Sequence, residues 1–428
     1  LLDAGRWSAR RGHGVVSESR RPGRVRARQR EMAKINRPRL LGSTGVAVLF
    51  VFGHKSVSRR FTMPKIALEY GMHLLRLRLL KLGPFDQIDL NFEEDGEPRL
   101  ATVIQGGGGI GKTTLLLALS STRPGNSVVP HGYYVDNDEP GSTIGEFRLG
   151  LDDPERPHSL TVASPNARVF ADEEREMLRR REQSLFDRVA REAGFVFVAI
   201  PATRWFSRQP IAITAPARGL ARYDVRSPVA LDDPTRGDLA RETKQALAYA
   251  AISRAIAQKE EPKQRFERLA RAMQHAVDSV LGLIGLRWVG VDPLTWEPIF
   301  CADGAASGIS DGGDDVAVAF DALPNRARHL IAFVALPIRA LWAAYPLRDP
   351  LAAEGIVTID EIELYQDSAV LSRLVPTLRL ALPQVQWIVT TTSPIVATSC
   401  EINEVIALRR ATPQAAVLPY TGEVARTH

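Results

Sequence analysis

Hydrophobic and polar positions first fall into order at Leu74, where LLRLRLL alternates with period two. Gly83-Pro84 then turns the chain, and Gln87 to Phe92 (QIDLNF) alternates again, which predicts an antiparallel strand pair with one buried face. Four later segments lack that alternation and read as unbroken apolar runs: Arg99–Gln105, Phe195–Ile200 (FVFVAI), Gly355–Ile359 and Val385–Thr391. A strand loses polar alternation when both of its faces are covered, so these predict buried strands, Gly355–Ile359 among them as a central parallel strand, with Glu404–Leu408 as a final strand. Between them the period changes to that of helices. Lys112–Ser120 (KTTLLLALS), Ala171–Arg191, 238–257, 262–284 and Asp367–Leu382 are the candidates. The first of the long ones places Leu178, Leu185, Phe186 and Val189 on one stripe, with its charges on a solvated face. In 262–284, Phe266, Leu269, Met273, Val277, Val280 and Ile284 recur at three- and four-residue spacing, a stripe that suits core packing better than a partner surface. Short strands are expected at 127–134, 145–151, 159–163, 286–291 and 298–302, and a Gly/Asp-rich loop at 303–315. Together these predict an α/β fold: a mostly parallel sheet, an antiparallel β-layer, and a helical or mixed lobe inserted at about 203–320.

Charge changes the picture at one end. Residues 1–71 carry 16 of the 55 Lys+Arg and 4 of the 49 Asp+Glu, a net of +12, while the rest carries 39 against 45. The overall +6 therefore belongs to a leader, expected to be disordered, and a body at 72–428 that is mildly acidic gives no electrostatic case for nucleic acid. Three readings of the leader stay open: a basic nucleic-acid-binding arm, an export signal beginning at Met32, or sequence upstream of a true start at Met63 or Met72. No unbroken apolar run reaches the roughly 18 residues that span a bilayer. Cys301 and Cys400 offer neither a disulfide framework nor metal-ligand spacing, which fits a cytoplasmic protein.

The candidate chemistry begins where the Arg99–Gln105 run ends. Gly106, Gly107, Gly108, Gly109, Ile110, Gly111, Lys112 and Thr113 match G-x-x-x-x-G-K-[ST], followed by Thr114 and a helix. Glycines let main-chain N–H groups close around a phosphate tail, and the unpaired N–H groups and dipole of a helix N-terminus favour its charge. Lys112 is expected on the β- and γ-phosphates and the Thr113 hydroxyl on Mg2+, in a strand–loop–helix context that supports ATP as the ligand. No N/T-K-x-D motif follows that would read a guanine base.

The second half is Gly355–Ile359 ending in Asp360 and Glu361. Asp360 is placed for the Mg2+ shell, and Glu361, one residue on, for polarising an attacking water.

These segments resemble the ABC-type, AAA-like ATPase heads of the SMC/RecF/OLD class: LRLLKLGPFDQIDLNF (77–92), QGGGGIGKTTLLLAL (105–119), IDEIEL (359–364) and WIVTTTSP (387–394). The resemblance covers about 72–428. It implies a P-loop NTPase fold, slow ATP hydrolysis, an ATP-dependent homodimer, and a separate effector or nuclease chain. DNA is a possible partner and a membrane is not. The setting it implies is DNA maintenance or phage defence. An ATP-gated scaffold that hydrolyses little is the alternative. Two departures bear on turnover. The family's LSxGQ-type signature is represented by Leu323-Pro-Asn-Arg-Ala327, where Pro324 brings no hydroxyl and Arg326 adds bulk, although Arg326 or Arg328 has the charge of an arginine finger. Thr392 stands where the family has a switch histidine, and threonine does not titrate near neutrality. Arg204 resembles an arginine those heads carry after the FVFVAI strand, and Gln209 is a candidate for a Q-loop role.

Overall fold

The computed structural model of the chain describes residues 72–425, apart from 126, 130–140, 150–157, 193–194, 212, 214–236, 303–316, 346 and 413–414. Of two compact units, Leu1–Met63 and Pro64–His428, all described residues belong to the second. The leader, the 303–315 loop and most of the 127–134 strand candidate lie outside the described residues, and Ser127–Val129 are not in a strand.

In chain order the first strands are β1 (Met72–Leu82), β2 (Phe85–Asn91), β3 (Glu93–Glu94), β4 (Glu97–Pro98), β5 (Ala101–Gln105), β6 (Ser142–Leu149), β7 (Leu160–Ala163) and β8 (Phe197–Ile200). The later ones are β9 (Leu286–Val291), β10 (Pro298–Ala302), β11 (Val318–Ala319), β12 (Gly355–Ile359), β13 (Val385–Thr391), β14 (Val405–Arg410) and β15 (Val417–Thr421). The helices are α1 (Lys112–Ser121), α2 (Glu173–Glu192), α3 (Ala240–Ile256), α4 (Glu260–Leu281), α5 (Asn325–Ala344), α6 (Ser368–Ala381) and α7 (Pro394–Thr398).

The alternating segments form a four-stranded antiparallel sheet, β2-β1-β6-β7. The unbroken apolar segments form a six-stranded sheet, β15-β14-β5-β13-β12-β8, parallel throughout except for β15 at its edge. Period two explains why these strands read as apolar runs. Ala101, Val103, Val357, Ile359, Trp387 and Val389 point to one face and pack on the helices. Ile104, Ile356, Ile388 and Ile406 point to the other and pack on the antiparallel sheet and α1. Gln386, fully buried on β13, joins the two layers: it accepts from Leu74 N at 2.7 Å and donates to Leu74 O at 2.8 Å.

The helical side holds α3, α4, α5 and α6 with the small sheet β11-β10-β9. The α4 stripe is core, with Leu269, Met273, Val277 and Val280 buried. α5 is apolar nearly all round and long enough to cross a membrane by length and composition, yet most of it is buried inside the fold. Lys244, also buried, ties α3 to this region through Glu297 and Asp321.

α2 departs from expectation. Leu178 is exposed, and among the described residues the buried face consists of Glu176, Arg179, Gln183 and Phe186. Burial of the polar three is tolerated because they satisfy one another: Arg179 donates to Glu176 and to Gln183, and Gln183 bonds Ala163 in both directions. The Phe170 main chain and Arg180 also serve Glu176, and although burial opposes it, these donors hold its carboxyl down to about 2.

At the foot of the sheet, His73 Nε2 lies 3.0 Å from Gln384 O and its Nδ1 4.0 Å from the buried Glu354 carboxylate. Burial pushes Glu354 up to about 7, against an ordinary 4.5. The folded carboxyl thus keeps its proton to higher pH than the unfolded one, so its contribution is full below about pH 4.5 and is lost as pH rises through 7. Glu354→Gln, which fixes the uncharged form, is expected to stabilise the fold at pH 8 by on the order of 1–3 kcal/mol and to change little at pH 4.5. Urea denaturation at the two pH values checks this.

Candidate functional site

The glycine-rich loop runs from the end of β5 into α1, and the packing beneath it fixes its path. Gly106 is buried and donates its N–H to Thr391 O at 3.1 Å, and a Cβ there would come within 2.9 Å of Ile110 and 3.1 Å of Leu408 O. Gly111 caps α1 in the left-handed region, φ 105°, with the Pro84 ring 2.5 Å from where a Cβ would stand. Around Gly107, Gly108 and Gly109 a Cβ would meet nothing within 4 Å, so that side of the loop is open. No side chain caps α1, and its first turn carries no acidic residue. Its leading N–H groups thus offer an anion site on the open side of the loop. Ile110 packs into the β-layer core, and Thr114 sits under Gly83 of the β1–β2 turn. Lys112 is buried and donates from Nζ to Gly106 O at 2.8 Å and Gly107 O at 3.0 Å, curled back on the loop it belongs to.

The structure brings this loop to the end of β12. Thr113 Oγ1 donates to Asp360 Oδ2 at 2.8 Å across 247 positions of sequence. The other carboxylate oxygen, Asp360 Oδ1, accepts from Thr390 Oγ1 at 2.5 Å. Thr390 lies on β13, which the sheet order places between β5 and β12. Its hydroxyl also accepts from Glu361 N at 2.8 Å, so one buried side chain orients Asp360 and pins the next residue. Thr390 is absent from the sequence-based candidates. A buried hydroxyl near the end of a strand covered on both faces was the available signal, because such a group needs a partner.

Glu361 stands in the left-handed region, φ 48°, as does Tyr365 at 67°. Among the described residues no hydrogen bond engages the Glu361 carboxylate, which leaves it available to a water. Arg204, 2% exposed, donates to Asp360 O at 2.6 Å, Glu361 O at 2.8 Å and Pro201 O at 3.0 Å. Burial pushes this guanidinium down to about 10 against the pull of Asp360, Glu363 and Glu361, so it stays charged at neutral pH.

Thr392 donates from both N and Oγ1 to Glu363 Oε1 at 2.7 Å. Burial raises the Glu363 carboxyl, but those bonds and one from Thr391 outweigh it and hold it below its ordinary value. Arg326 is paired with Asp367 at 2.8 Å, and Arg328 with Asn325 at 2.6 Å and the Phe206 ring. Both candidate arginine fingers are therefore engaged within their own chain. Pro324 is the N-cap of α5, so the 323–327 segment does open a helix. Gln209 is exposed and makes no hydrogen bond to Thr113 or Asp360 among the described residues.

Behind the carboxylates His329 stacks on Tyr365, ring centres 4.6 Å apart, and meets Phe206 edge-on. Burial, opposed by the Asn325 carbonyl and helped by Arg204 and Arg328, pushes its imidazole down to about 4, leaving it neutral.

The site thus pairs an open, N–H-rich loop and a lysine with a hydroxyl and a carboxylate as hard oxygen donors. That set suits Mg2+, which takes one or two protein oxygens and keeps several waters.

No protein-family model matches the chain. Solved structures similar to it include an SMC head bound to the C-winged helix domain of ScpA, 14% identical with TM-score 0.42, covering 83% of this chain and 100% of that one. Another is an SMC head domain with an extended coiled coil, bound to the C-terminal domain of ScpA and derived from Pyrococcus furiosus. It is 13% identical with TM-score 0.43, covering 82% and 96%. The SMC head domain from Thermotoga maritima is 13% identical with TM-score 0.37, covering 81% and 99%.

The loop glycines divide into two roles. Gly111→Ala meets both a left-handed φ and the Pro84 ring, and is expected to cost about 1–3 kcal/mol of stability. Gly108→Ala is expected to leave stability within about 0.5 kcal/mol and to weaken nucleotide binding, because its Cβ fills the open side of the loop. Urea denaturation and titration with a fluorescent ATP analogue separate the two.

Proposed function

We propose that this chain is an ATP-binding and ATP-hydrolysing head. The observation that carries the reading is the 2.8 Å approach of Thr113 Oγ1 to Asp360 Oδ2 beside the open glycine-rich loop. A triphosphate tail fits against the N–H groups of Gly107 to Thr114. Lys112, whose Nζ has three donors and now spends two on loop carbonyls, transfers them to the β- and γ-phosphates. Thr113 and Asp360 would hold Mg2+, which when bound would supply charge neutralisation for the phosphates. Thr390 keeps Asp360 aimed by donating to it. Glu361, its carboxylate unengaged, orients and deprotonates the attacking water.

The motif resemblance extends this to a head-to-tail dimer formed around Mg-ATP, which drives or gates a separate effector chain in DNA maintenance or phage defence. Slow turnover is the form that fits. The Arg326–Asp367 pair and the Thr392–Glu363 pair occupy the groups that would otherwise stabilise charge on the transferred phosphoryl. In the limit this becomes an ATP-gated scaffold with little hydrolysis.

The test is steady-state ATP turnover of the full chain beside Lys112→Ala and Glu361→Gln, with the mass of each in Mg-ATP measured by light scattering. Lys112→Ala is expected to abolish ATP binding. Glu361→Gln is expected to keep binding, lower kcat by about 10²–10⁴-fold, and accumulate the ATP-dependent dimer. If the wild type binds ATP, never hydrolyses it and shows no change in mass, the hydrolysing dimer is wrong.

A further inference from the structure

We infer that Arg204 is a positioning residue for Glu361, holding the main chain of the carboxylate in the conformation from which it reaches the water; this rests on the ATP-hydrolysing reading above. Glu361 has φ 48°, a conformation that non-glycine residues rarely adopt and that persists only where the surroundings impose it. Here they do so from two sides. Thr390 Oγ1 accepts the Glu361 N–H at 2.8 Å, and the Arg204 fork takes the carbonyls of Asp360 and Glu361 at 2.6 and 2.8 Å.

The choice of side chain matches that task. An arginine buried to 2% exposure would ordinarily pair with a carboxylate, yet among the described residues its three hydrogen bonds all go to main-chain carbonyls. Its Nε has no hydrogen-bond partner among the described residues, so the terminal nitrogens do all the holding. The guanidinium centre lies over the Phe333 ring of the core helix α5, 5.3 Å from the ring centre, so the fork packs against a buried aromatic. A planar fork spans two successive carbonyls, whereas a single ammonium does not. Asp360 needs no such help with its side chain, since Thr113 and Thr390 already hold both of its oxygens. What remains for Arg204 is the turn itself. Released, Glu361 relaxes toward negative φ, and its Cβ swings away from the direction it now takes.

The experiment compares wild type, Arg204→Ala, Arg204→Lys, Glu361→Gln and the double variant Arg204→Ala/Glu361→Gln in the full chain. Affinity is read with a fluorescent ATP analogue and Mg2+, kcat by steady-state turnover, and residual hydrolysis by single turnover with labelled ATP. Arg204→Ala is expected to lower kcat about 100-fold and to leave the dissociation constant within about threefold. Arg204→Lys, which keeps the charge and loses the fork, is expected to lower kcat about tenfold. It decides the matter if the alanine variant fails to fold. In the Glu361→Gln background, Arg204→Ala is expected to change the residual rate less than about twofold, because a residue acting through Glu361 has nothing left to act on.

An active wild type with kcat unchanged in Arg204→Lys or Arg204→Ala overturns this inference alone. So does an equal loss in the presence and absence of Glu361, or a loss of affinity with kcat intact. A wild type as inert as Glu361→Gln overturns the hydrolytic reading and takes this inference with it.

Discussion

The hydrogen bond between Thr113 and Asp360 depends on a strand that contributes neither residue. β5 and β12 are not neighbours; β13 lies between them, so their ends are separated by two strand spacings, roughly 9.5 Å. The glycine-rich loop has to pass over the tip of β13 before Thr113 can meet Asp360. That tip grips both sides. Thr391 O accepts from Gly106 N, where the loop begins, and Thr390 Oγ1 donates to Asp360. A mutation that displaced the end of β13 would therefore open the site without touching a phosphate-binding residue or an acid.

Much of the molecule was legible because the physics that shapes it is periodic. Alternation in LLRLRLL and QIDLNF marks strands with one wet face, and the runs at 101–105, 355–359 and 385–391 mark strands with none. The glycine-rich loop was legible for a different reason: its backbone admits few other residues at Gly106 and Gly111. Strand order was not legible, since nothing in an apolar run says which run lies beside it. Arg204 and Thr390 escaped, or carried only a weak resemblance, because a single polar residue at the end of or inside an apolar run leaves no period to detect. The face of α2 was legible only in part: Phe186 is buried as its stripe predicts, while Leu178 is exposed. A helical-wheel argument turns apolar residues inward, and here Glu176, Arg179 and Gln183 go inward because they satisfy one another.

Buried polar groups therefore specify this fold where apolar packing alone would leave it indeterminate. Gln386 fixes how β1 lies over β13, Thr390 fixes how β13 meets the end of β12, and Arg204 fixes the turn that follows. Each would be costly if left unpaired, so each strongly disfavours a slipped register or a rotated strand.

The turn after β12 is also the place where the site and the helical lobe share atoms. From Asp360 to Asp367 the chain alternates its allegiance. Glu363 holds Thr392 at the tip of β13, while Gln366 donates to Arg326 O and Asp367 pairs with Arg326 at the start of α5. Tyr365, at φ 67°, lies on His329 one turn further along that helix. α5 itself is wedged in the core from Ala327 to Trp342 and has little freedom to move alone. A displacement at its N-terminus must therefore either break these contacts or pass through them to Glu361, whose backbone is already held on both sides. Arg326 and Glu361 are thereby linked by a continuous series of contacts through Asp367, Gln366 and Tyr365. That gives contacts made at the start of α5 a physical route to the chemistry at the glycine-rich loop.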